Sequence, residues 1–380
     1  MGRKWLVVGT ALVALATVAC MPPDPVVGPT APKVSSFAPA GGPFTAPALV
    51  PLVWKVSDAN GDDLTCRLDR EDDGIYDLTI PHCGRQSRVL PYDEGSYASR
   101  LEVTDGHSTP VTSVALFAVD PATTSESFSI TLRPLVPMDP DVSAAFTDAA
   151  GRWEAAITRG VPDASVHLDA GQCVAHEPGL TTAVDDVLIT VEVAPIDGPG
   201  GILGQAGPCL IAPVDSLTRA GIMQFDAADV AELIDEGTFT AVVLHEMGHV
   251  LGIGTLWDYG RDLTTGLSTS NPLYTGPRGV AEWSQLGGTS SLPVEGLGGP
   301  STAGSHWRES TFANELMTGW ISAGPNPMSA MTISSLGDLG YHVDPSTADP
   351  YALPIPGVHG RPSAAPVDLS GMERPPVSYL

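Results

Sequence analysis

The chain has 380 residues, which is enough for two domains that each bury a core of their own. Its formal net charge is −26 with only 18 basic residues, which argues against binding to nucleic acid. Charged residues make up only 16% of the chain, so a charged disordered protein is excluded as well. The 41 glycines and 36 prolines predict many turns between short elements.

The N-terminus has the pattern of an export signal. Two basic residues, Arg3 and Lys4, precede a short apolar run that ends in "TVAC". The run is too short, and "MPPDP" follows too abruptly, for a membrane-spanning helix. Because "TVAC" resembles a lipobox, residues 1–20 are predicted to be the signal peptide of a bacterial lipoprotein, anchored to a membrane through Cys20. Ordinary signal cleavage nearby, with Cys20 discarded, is the alternative.

Removal of Cys20 leaves four cysteines, an even number that suits disulfide pairing in an exported protein. Three pairings are open. The simplest joins Cys66 to Cys83 and Cys173 to Cys209, because each pair then falls within one predicted domain. The pairing implies an oxidising, extracytoplasmic location.

A proline-rich tether at residues 21–33 precedes a module of short alternating strands at residues 34–120. Turn signals such as "NGDD" and "DGHS" separate the strands, which predicts a small all-β sandwich of the immunoglobulin-like kind. The stretch "LEVTDG" resembles extracellular sandwich modules of the PKD or cadherin-like type.

Four acidic residues of the sandwich surround a glycine in "DREDDGIYD". Calcium prefers such oxygen ligands, and a glycine permits a sharp loop, so one interpretation is a Ca²⁺ site. The other is a solvated acidic hairpin, because the stretch lacks the length and final glutamate of an EF-hand loop. The four residues are Asp69, Glu71, Asp73 and Asp77.

Residues 127–351 alternate between strand and helix patterns and predict an α+β domain. Strands are predicted at "SFSITLRPL" and "DDVLITVEVAPI", and "AGIMQFDAADV" is predicted to be a strand that leads into a helix. The proline-rich residues 352–380 are predicted to trail over the surface. One amphipathic helix is predicted at "DPDVSAAFTDAAGRWEAAITRG", with an apolar face formed by Phe146, Ala150, Trp153, Ala156 and Ile157.

The stretch "TAVVLHEMGHVLG" contains two histidines four residues apart. On a helix, His245 and His249 share one face and can bind one ion, for which zinc is the natural choice. Glu246 can then act as general base toward the water held by the zinc. Two histidines do not complete such a site, so a third ligand is needed.

A candidate for the third ligand lies beyond the glycine that ends this helix. Gly252 completes H-E-x-x-H-x-x-G and can end the helix in a left-handed turn. A compact metzincin would have its third histidine at the position of Thr255, so that pattern fails. Further along, "GSHWRESTFANELMTG" offers His306, and then Met317 in a tight turn.

These motifs, in this order, resemble the leishmanolysin family of metzincin proteases. The stretches "GQAGPC" and "MTISSLGDLGY" resemble bacterial members of that family. The resemblance implies a metzincin-like zinc endopeptidase with one catalytic Zn²⁺ on His245, His249 and His306. It implies Glu246 as general base and acid, and Met317 as an apolar support beneath the histidines. No cysteine is placed as a pro-segment switch, so the resemblance leaves any latency mechanism open.

Two rival ligands and one rival function remain open. "GTLWDYG" resembles part of the motif through which aspzincin proteases supply an aspartate ligand, so Asp258 competes with His306. Glu315 is a weaker candidate, because it adjoins the methionine turn. The main hypothesis is an exported endopeptidase that acts on protein or peptide substrates. The alternative is a non-enzymatic surface protein, in which the sandwich mediates adhesion and the protease-like domain is a scaffold.

Overall fold

The computed structural model describes residues 30–46, 48–121, 126–200, 202–259, 261–299, 302–354, 366–369 and 372, and the backbone of 378–379. The predicted lipidation site at Cys20, the signal peptide and most of the tether lie outside the described residues. No helix in the described part of the chain combines the length and apolar character that a membrane crossing needs.

The first domain is a β-sandwich, as its short alternating strands predict. In the third strand, buried residues alternate with more exposed ones, so one face lies on the core. The strands are β1 (Lys33–Pro39), β2 (Phe44–Thr45), β3 (Ala48–Ser57), β4 (Thr65–Asp69), β5 (Leu78–Pro81), β6 (Arg85–Tyr92), β7 (Gly95–Thr104) and β8 (Val111–Asp120).

Two sheets, with strand orders β1-β3-β6 and β2-β8-β7-β4-β5, enclose one apolar core. Trp54 is fully buried in this core, and its indole Nε1 donates to the carbonyl oxygen of Cys83 at 3.0 Å. The predicted disulfide between Cys66 and Cys83 is present beside it. It joins β4 to the turn after β5, which stabilises a small domain with a limited core.

The second domain begins with a four-stranded part of a mixed sheet and three helices. The elements are β9 (Ile130–Pro134), α1 (Pro140–Ala156), β10 (Ile157–Arg159), β11 (Ala164–Leu168), β12 (Leu180–Val184), β13 (Val187–Ala194), β14 (Gly204–Ile211), β15 (Thr218–Asp226), α2 (Ala227–Asp235) and α3 (Phe239–Leu251). The order of the main strands is β14-β15-β13-β9, in which β14 alone is antiparallel to its neighbour β15.

The second half of this domain has short elements and long loops, as its glycine content predicts. The elements are β16 (Thr264–Thr265), β17 (Leu273–Tyr274), α4 (Pro277–Gln285), β18 (Leu292–Pro293), α5 (Glu309–Phe312), β19 (Trp320–Ile321), α6 (Ala330–Leu339), β20 (His342–Val343), a 3₁₀ turn (Pro345–Thr347), β21 (Val367–Asp368) and β22 (Ser378–Tyr379). The predicted disulfide between Cys173 and Cys209 is also present, and it ties the loop before β12 to β14.

Helix α1 packs against α3 through the apolar face that its sequence predicts. All five predicted face residues are buried, and Trp153 is fully so. The indole Nε1 of Trp153 donates to the carbonyl oxygen of Leu244 at 3.0 Å, so the two helices are joined by a hydrogen bond as well as by packing. Truncation of a buried tryptophan of this kind to alanine typically costs about 3–5 kcal/mol.

The C-terminal tail differs from its predicted surface course in its described residues. Leu369 and Met372 have exposed fractions of 0% and 2% and belong to the core of the second domain. Strand β21 pairs with β19, and β22 pairs with the free edge of β14 in parallel orientation. The proline content suggested an irregular course, but the apolar side chains between the prolines are long enough to reach the core.

The two domains meet through charged side chains. Arg278 on α4 donates to the carboxylate of Asp93, which follows β6, at 2.8 Å. Arg88 on β6 lies 3.5 Å from a carboxylate oxygen of Asp262. Leu49 of the sandwich packs within reach of Gly340, which ends α6. The sandwich is therefore seated on the second domain rather than joined to it only by the linker.

Asp226 fixes the loop that leads into β14. One carboxylate oxygen caps α2 by accepting from the amide of Ala228 at 2.8 Å. The other accepts from three successive loop amides, those of Ile196, Asp197 and Gly198, at 2.8, 2.8 and 2.9 Å. These backbone hydrogen bonds, led by those from Ala228 and Gly198, lower the pKa of Asp226 to about 2.

Replacement of Asp226 by alanine is therefore expected to lower the melting temperature at neutral pH by several degrees. Because the folded-state pKa is depressed, the stabilisation is complete above the unfolded value of about 3.9 and is lost as pH falls toward 2. Thermal unfolding of the wild type and Asp226→Ala between pH 7 and pH 2 measures this. The difference in melting temperature between the two proteins should narrow below pH 4. A difference that stayed constant with pH would contradict the assignment of a depressed pKa to Asp226.

Candidate active site

Three histidine side chains converge at one point of the second domain. His245 and His249 lie on one face of α3, and His306 approaches from the segment before α5. Their Nε2 atoms lie 2.9 Å apart for the two helical residues, and each lies 3.2 Å from the Nε2 of His306. All three side chains are fully buried. The i, i+4 spacing on the helix produces the first pair, and the chain fold adds the third.

The other ring nitrogen of each histidine faces a backbone carbonyl oxygen. The Nδ1–O distance is 2.6 Å from His245 to Leu316, 2.8 Å from His249 to Ile253 and 3.2 Å from His306 to Thr302. A carbonyl oxygen only accepts, so each Nδ1 carries the proton and each Nε2 presents its lone pair to the centre.

The electrostatics of the site also favour a neutral His245. Burial, and after it the neighbouring His249 and His306, lowers the pKa of His245 well below its usual range. Three neutral imidazoles whose Nε2 atoms converge, and whose Nδ1 atoms face backbone carbonyls, fit the ligand set of a zinc ion. Such a set leaves a fourth coordination position for substrate or water. Within the described residues, this trio is the group of potential ligands close enough together to hold a metal.

Glu246 lies beside the cluster. Its carboxylate Oε1 is 4.0 Å from the Nε2 of His245, and its side chain is fully buried. Because it follows His245 in the helix, it is rotated away from the focus of the three Nε2 atoms and does not share it. A carboxylate in this position can act on a group held at the metal without ligating the metal itself.

Two glycines after α3 permit the path of the chain around the cluster. Gly252 ends the helix with a φ of 115°, as predicted, and its amide donates to the carbonyl oxygen of Gly248. Gly254 has a φ of 75°, and a Cβ there would lie 2.1 Å from the carbonyl oxygen of Ser305. Ser305 directly precedes His306, so the absence of a side chain at Gly254 permits the third ligand to come close to α3.

The methionine turn lies under α3, as the sequence predicts. Met317 is fully buried, and its sulfur is 3.0 Å from the position that a Cβ on Gly248 would take. Its carbonyl oxygen accepts from the amide of Trp307 at 2.9 Å, which joins the turn to the residue after the third histidine. Met317 is therefore a support that holds helix and turn together.

Glu315 organises this turn instead of serving as a ligand. Its carboxylate accepts from the amide of Met317 at 2.7 Å and from the hydroxyls of Ser329 and Thr332 at 2.6 and 2.5 Å. Thr332 in turn accepts from the indole of Trp307 at 2.8 Å. Burial raises the pKa of Glu315, and these hydrogen bonds oppose that rise. The network connects α6 to the turn on which the histidines rest.

Comparison with known proteins relates the second domain to a protease family. Residues 173–352 match the sequence model of the leishmanolysin family. The second domain is therefore similar to the leishmanolysin family over these residues. The leishmanolysin homolog of Crithidia fasciculata is 28% identical over 181 residues, which are 45% of this chain and 27% of that protein. Leishmanolysin of Leishmania donovani is 30% identical over 174 residues, 43% of this chain and 28% of that protein.

The leishmanolysin-type domain thus spans only about a quarter of the length of these relatives. Among solved structures, the PKD domain from human VPS10 domain-containing receptor SorCS2 is similar to 33% of this chain and to 100% of its own length. That likeness has 13% sequence identity and a TM-score of 0.22. The sandwich assignment itself rests on the two sheets and the shared core described above.

The structure does not bring Asp258 into the site of the leishmanolysin-type domain. Its side chain is exposed, and both carboxylate oxygens accept from the Thr264 hydroxyl at 2.7 Å. The aspzincin-like interpretation of "GTLWDYG" is therefore wrong on geometry, because the chain after Gly252 turns so that Asp258 points to solvent while His306 reaches the cluster.

The acidic loop of the sandwich uses its carboxylates within the loop. Fully buried Asp69 accepts from the amides of Asp73 and Gly74 at 3.1 and 2.8 Å. Asp77 accepts from the amide of Arg70 at 2.6 Å, and Glu71 pairs with the Arg70 guanidinium. The loop is thus closed by its own hydrogen bonds, and calcium at this loop stays a prediction.

Replacement of Gly254 by alanine is expected to weaken zinc binding about tenfold to a hundredfold, the range for changes behind metal ligands. The added methyl group would overlap the Ser305 carbonyl and move His306 away from α3. Zinc affinity from competition with a chelator measures this. Gly287→Ala, at a glycine of similar φ with open space around it, is the matched control and should bind zinc like the wild type.

Proposed function

We propose that this chain is a zinc-dependent endopeptidase that hydrolyses peptide bonds of extracytoplasmic proteins, with Glu246 as its general base and acid. The observation that supports this most directly is the focus of three buried imidazole Nε2 atoms, at most 3.2 Å from one another, with a buried carboxylate beside it. The leishmanolysin-family match over residues 173–352 supports the same reaction class.

The histidines and Glu246 have different roles in peptide hydrolysis. Zinc, when bound by His245, His249 and His306, supplies a Lewis acid that polarises the scissile carbonyl. Glu246 takes a proton from the attacking water and passes it to the leaving amine. Because the site is fully buried among apolar residues, the charge that develops on Glu246 and the carbonyl is not screened by bulk water.

The location of the enzyme follows from its disulfides and its N-terminal sequence. The two disulfides require an oxidising compartment. We further propose that Cys20 carries a lipid, that the proline-rich tether lifts the folded part off a membrane, and that the sandwich stands between tether and protease. The same proposal includes calcium binding by the sandwich through Asp69 and its acidic neighbours.

Replacement of Glu246 by glutamine should remove activity and keep the metal. Glutamine has nearly the same shape but cannot accept a proton, so the rate should fall by about 10²–10⁴-fold. The measurement is zinc content together with cleavage of casein or of a quenched fluorescent peptide by residues 21–380. A variant that kept its full rate would exclude Glu246 as the base. A zinc-loaded wild type and a zinc-loaded Glu246→Gln with equal, background rates would favour the non-enzymatic scaffold.

Replacement of His306 by alanine should lose the metal, because two imidazoles from one helix bind zinc far more weakly than three converging ligands. Zinc content after dialysis against a weak chelator measures this. Asp258→Asn, a change at an exposed side chain outside the cluster, is the control and should retain one zinc per chain. Zinc retained in His306→Ala and lost in Asp258→Asn would reverse the assignment of the third ligand.

A further inference from the structure

The described residues of the C-terminal tail pair with two strands of the second domain, β19 and β14. On one side, β21 pairs with β19, so that Val367 lies opposite Ile321 and Asp368 opposite Trp320. Strand β19 begins shortly after Met317 in the turn beneath the histidines. On the other side, β22 pairs with β14, the sheet strand on which α3 packs. The described residues of the tail therefore contact both β19 and β14.

Two buried residues hold the tail between these strands. The amide of Leu369 donates to the carbonyl oxygen of Gly319 at 3.1 Å, and the carbonyl oxygen of Met372 accepts from the amide of Ala206 at 2.7 Å. Both side chains belong to the apolar core that also contains Met317 and Met247. Gly319 in turn lies against Thr302, the residue whose carbonyl faces His306. Leu369 is thus connected through Gly319 to the segment that carries His306.

The tail pairs with the edge of β14 that an extended peptide would use to add a strand to the sheet. Without β22, β14 is the outer strand of the sheet, and its outward backbone groups are a template for one more strand. In the structure the Ala206 amide already donates to the carbonyl oxygen of Met372. Leu210 and Ile211 are paired with Ser378 and Tyr379. At the same time, the three histidines and Glu246 have no exposed surface.

We propose that the C-terminal tail, through residues 367–369, 372 and 378–379, is an internal competitive inhibitor of the active site. It pairs with the edge of β14 and with β19, the strand after the methionine turn. A protein substrate must displace it to reach the metal. This inference rests on the proposed peptidase function and concerns the regulation of that site. Displacement breaks only hydrogen bonds and apolar contacts, so the block is reversible.

The first test weakens the tail at its two buried side chains. Leu369→Asp/Met372→Asp should lower the apparent KM for a protein substrate at least about tenfold and leave kcat within about twofold, because the binding-competent fraction rises while the catalytic groups are untouched. Leu116→Asp, a leucine-to-aspartate change at a sandwich side chain with an exposed fraction of 76%, is the control and should keep the wild-type KM. A tail with only a structural role would instead give a lower melting temperature and unchanged or raised KM.

A second variant avoids any folding defect of the charged side chains. Residues 357–363 are replaced by the recognition sequence of a site-specific protease, so that the intact chain folds before the tail is cut free. Cutting followed by dilution should produce the same decrease in apparent KM, and a synthetic peptide of residues 366–380 should restore inhibition competitively. An unchanged KM after complete release of the tail would overturn the proposal.

The same experiment separates failure of this inference from failure of the proposed function. Glu246→Gln in the cut, tail-free chain must stay inactive if the peptidase assignment holds. Cleavage that depends on Glu246 but not on the tail would retain the peptidase and reject the inhibitor. Zinc-loaded, tail-free protein without any cleavage of casein or peptide libraries would reject the peptidase itself.

Discussion

The convergence of three imidazole nitrogens in a solvent-inaccessible part of the core is the constraint on which the second domain is built. Neutral histidines can be buried together only if the opposite ring nitrogens have partners, and here each faces a backbone carbonyl. Those carbonyls come from three different segments, at Leu316, Ile253 and Thr302. The turn after α3, the loop before α5 and the methionine turn must therefore all be in place together.

Much of this site could be predicted from the sequence, because its parts are local. The histidine pair and Glu246 share one helix, Gly252 ends it, and the "NELMTG" turn follows His306 at short range. Periodicity predicts the face of α1, and domain membership favours, among three possible pairings, the two disulfides that the structure shows. The β-sandwich followed from alternation and turn signals in the same way.

The missed features depend on contacts between distant segments. No sequence pattern marks Gly254, because only the folded chain shows that its missing side chain leaves room for Ser305. Glu315 was considered as a ligand, and its partners Ser329 and Thr332 come from α6, which a linear pattern does not place nearby. Asp258 looked suitable by motif, but the direction of the chain after Gly252 decides against it. The course of the tail was missed for the same reason, since Leu369 and Met372 find their partners far upstream.

The separation of His245 and His306 by 61 residues has a mechanical consequence. An ion held by both residues acts as a reversible cross-link that closes a long loop, and its contribution to order grows with the logarithm of loop length, as for a disulfide. In its described residues, the segment between α3 and α5 has short strands and one helix, α4, and its buried side chains such as Tyr274 and Trp283 pack into the core of the domain. Metal binding would therefore add to the stability of a segment that is nearly a sixth of the chain, and not only supply its chemistry.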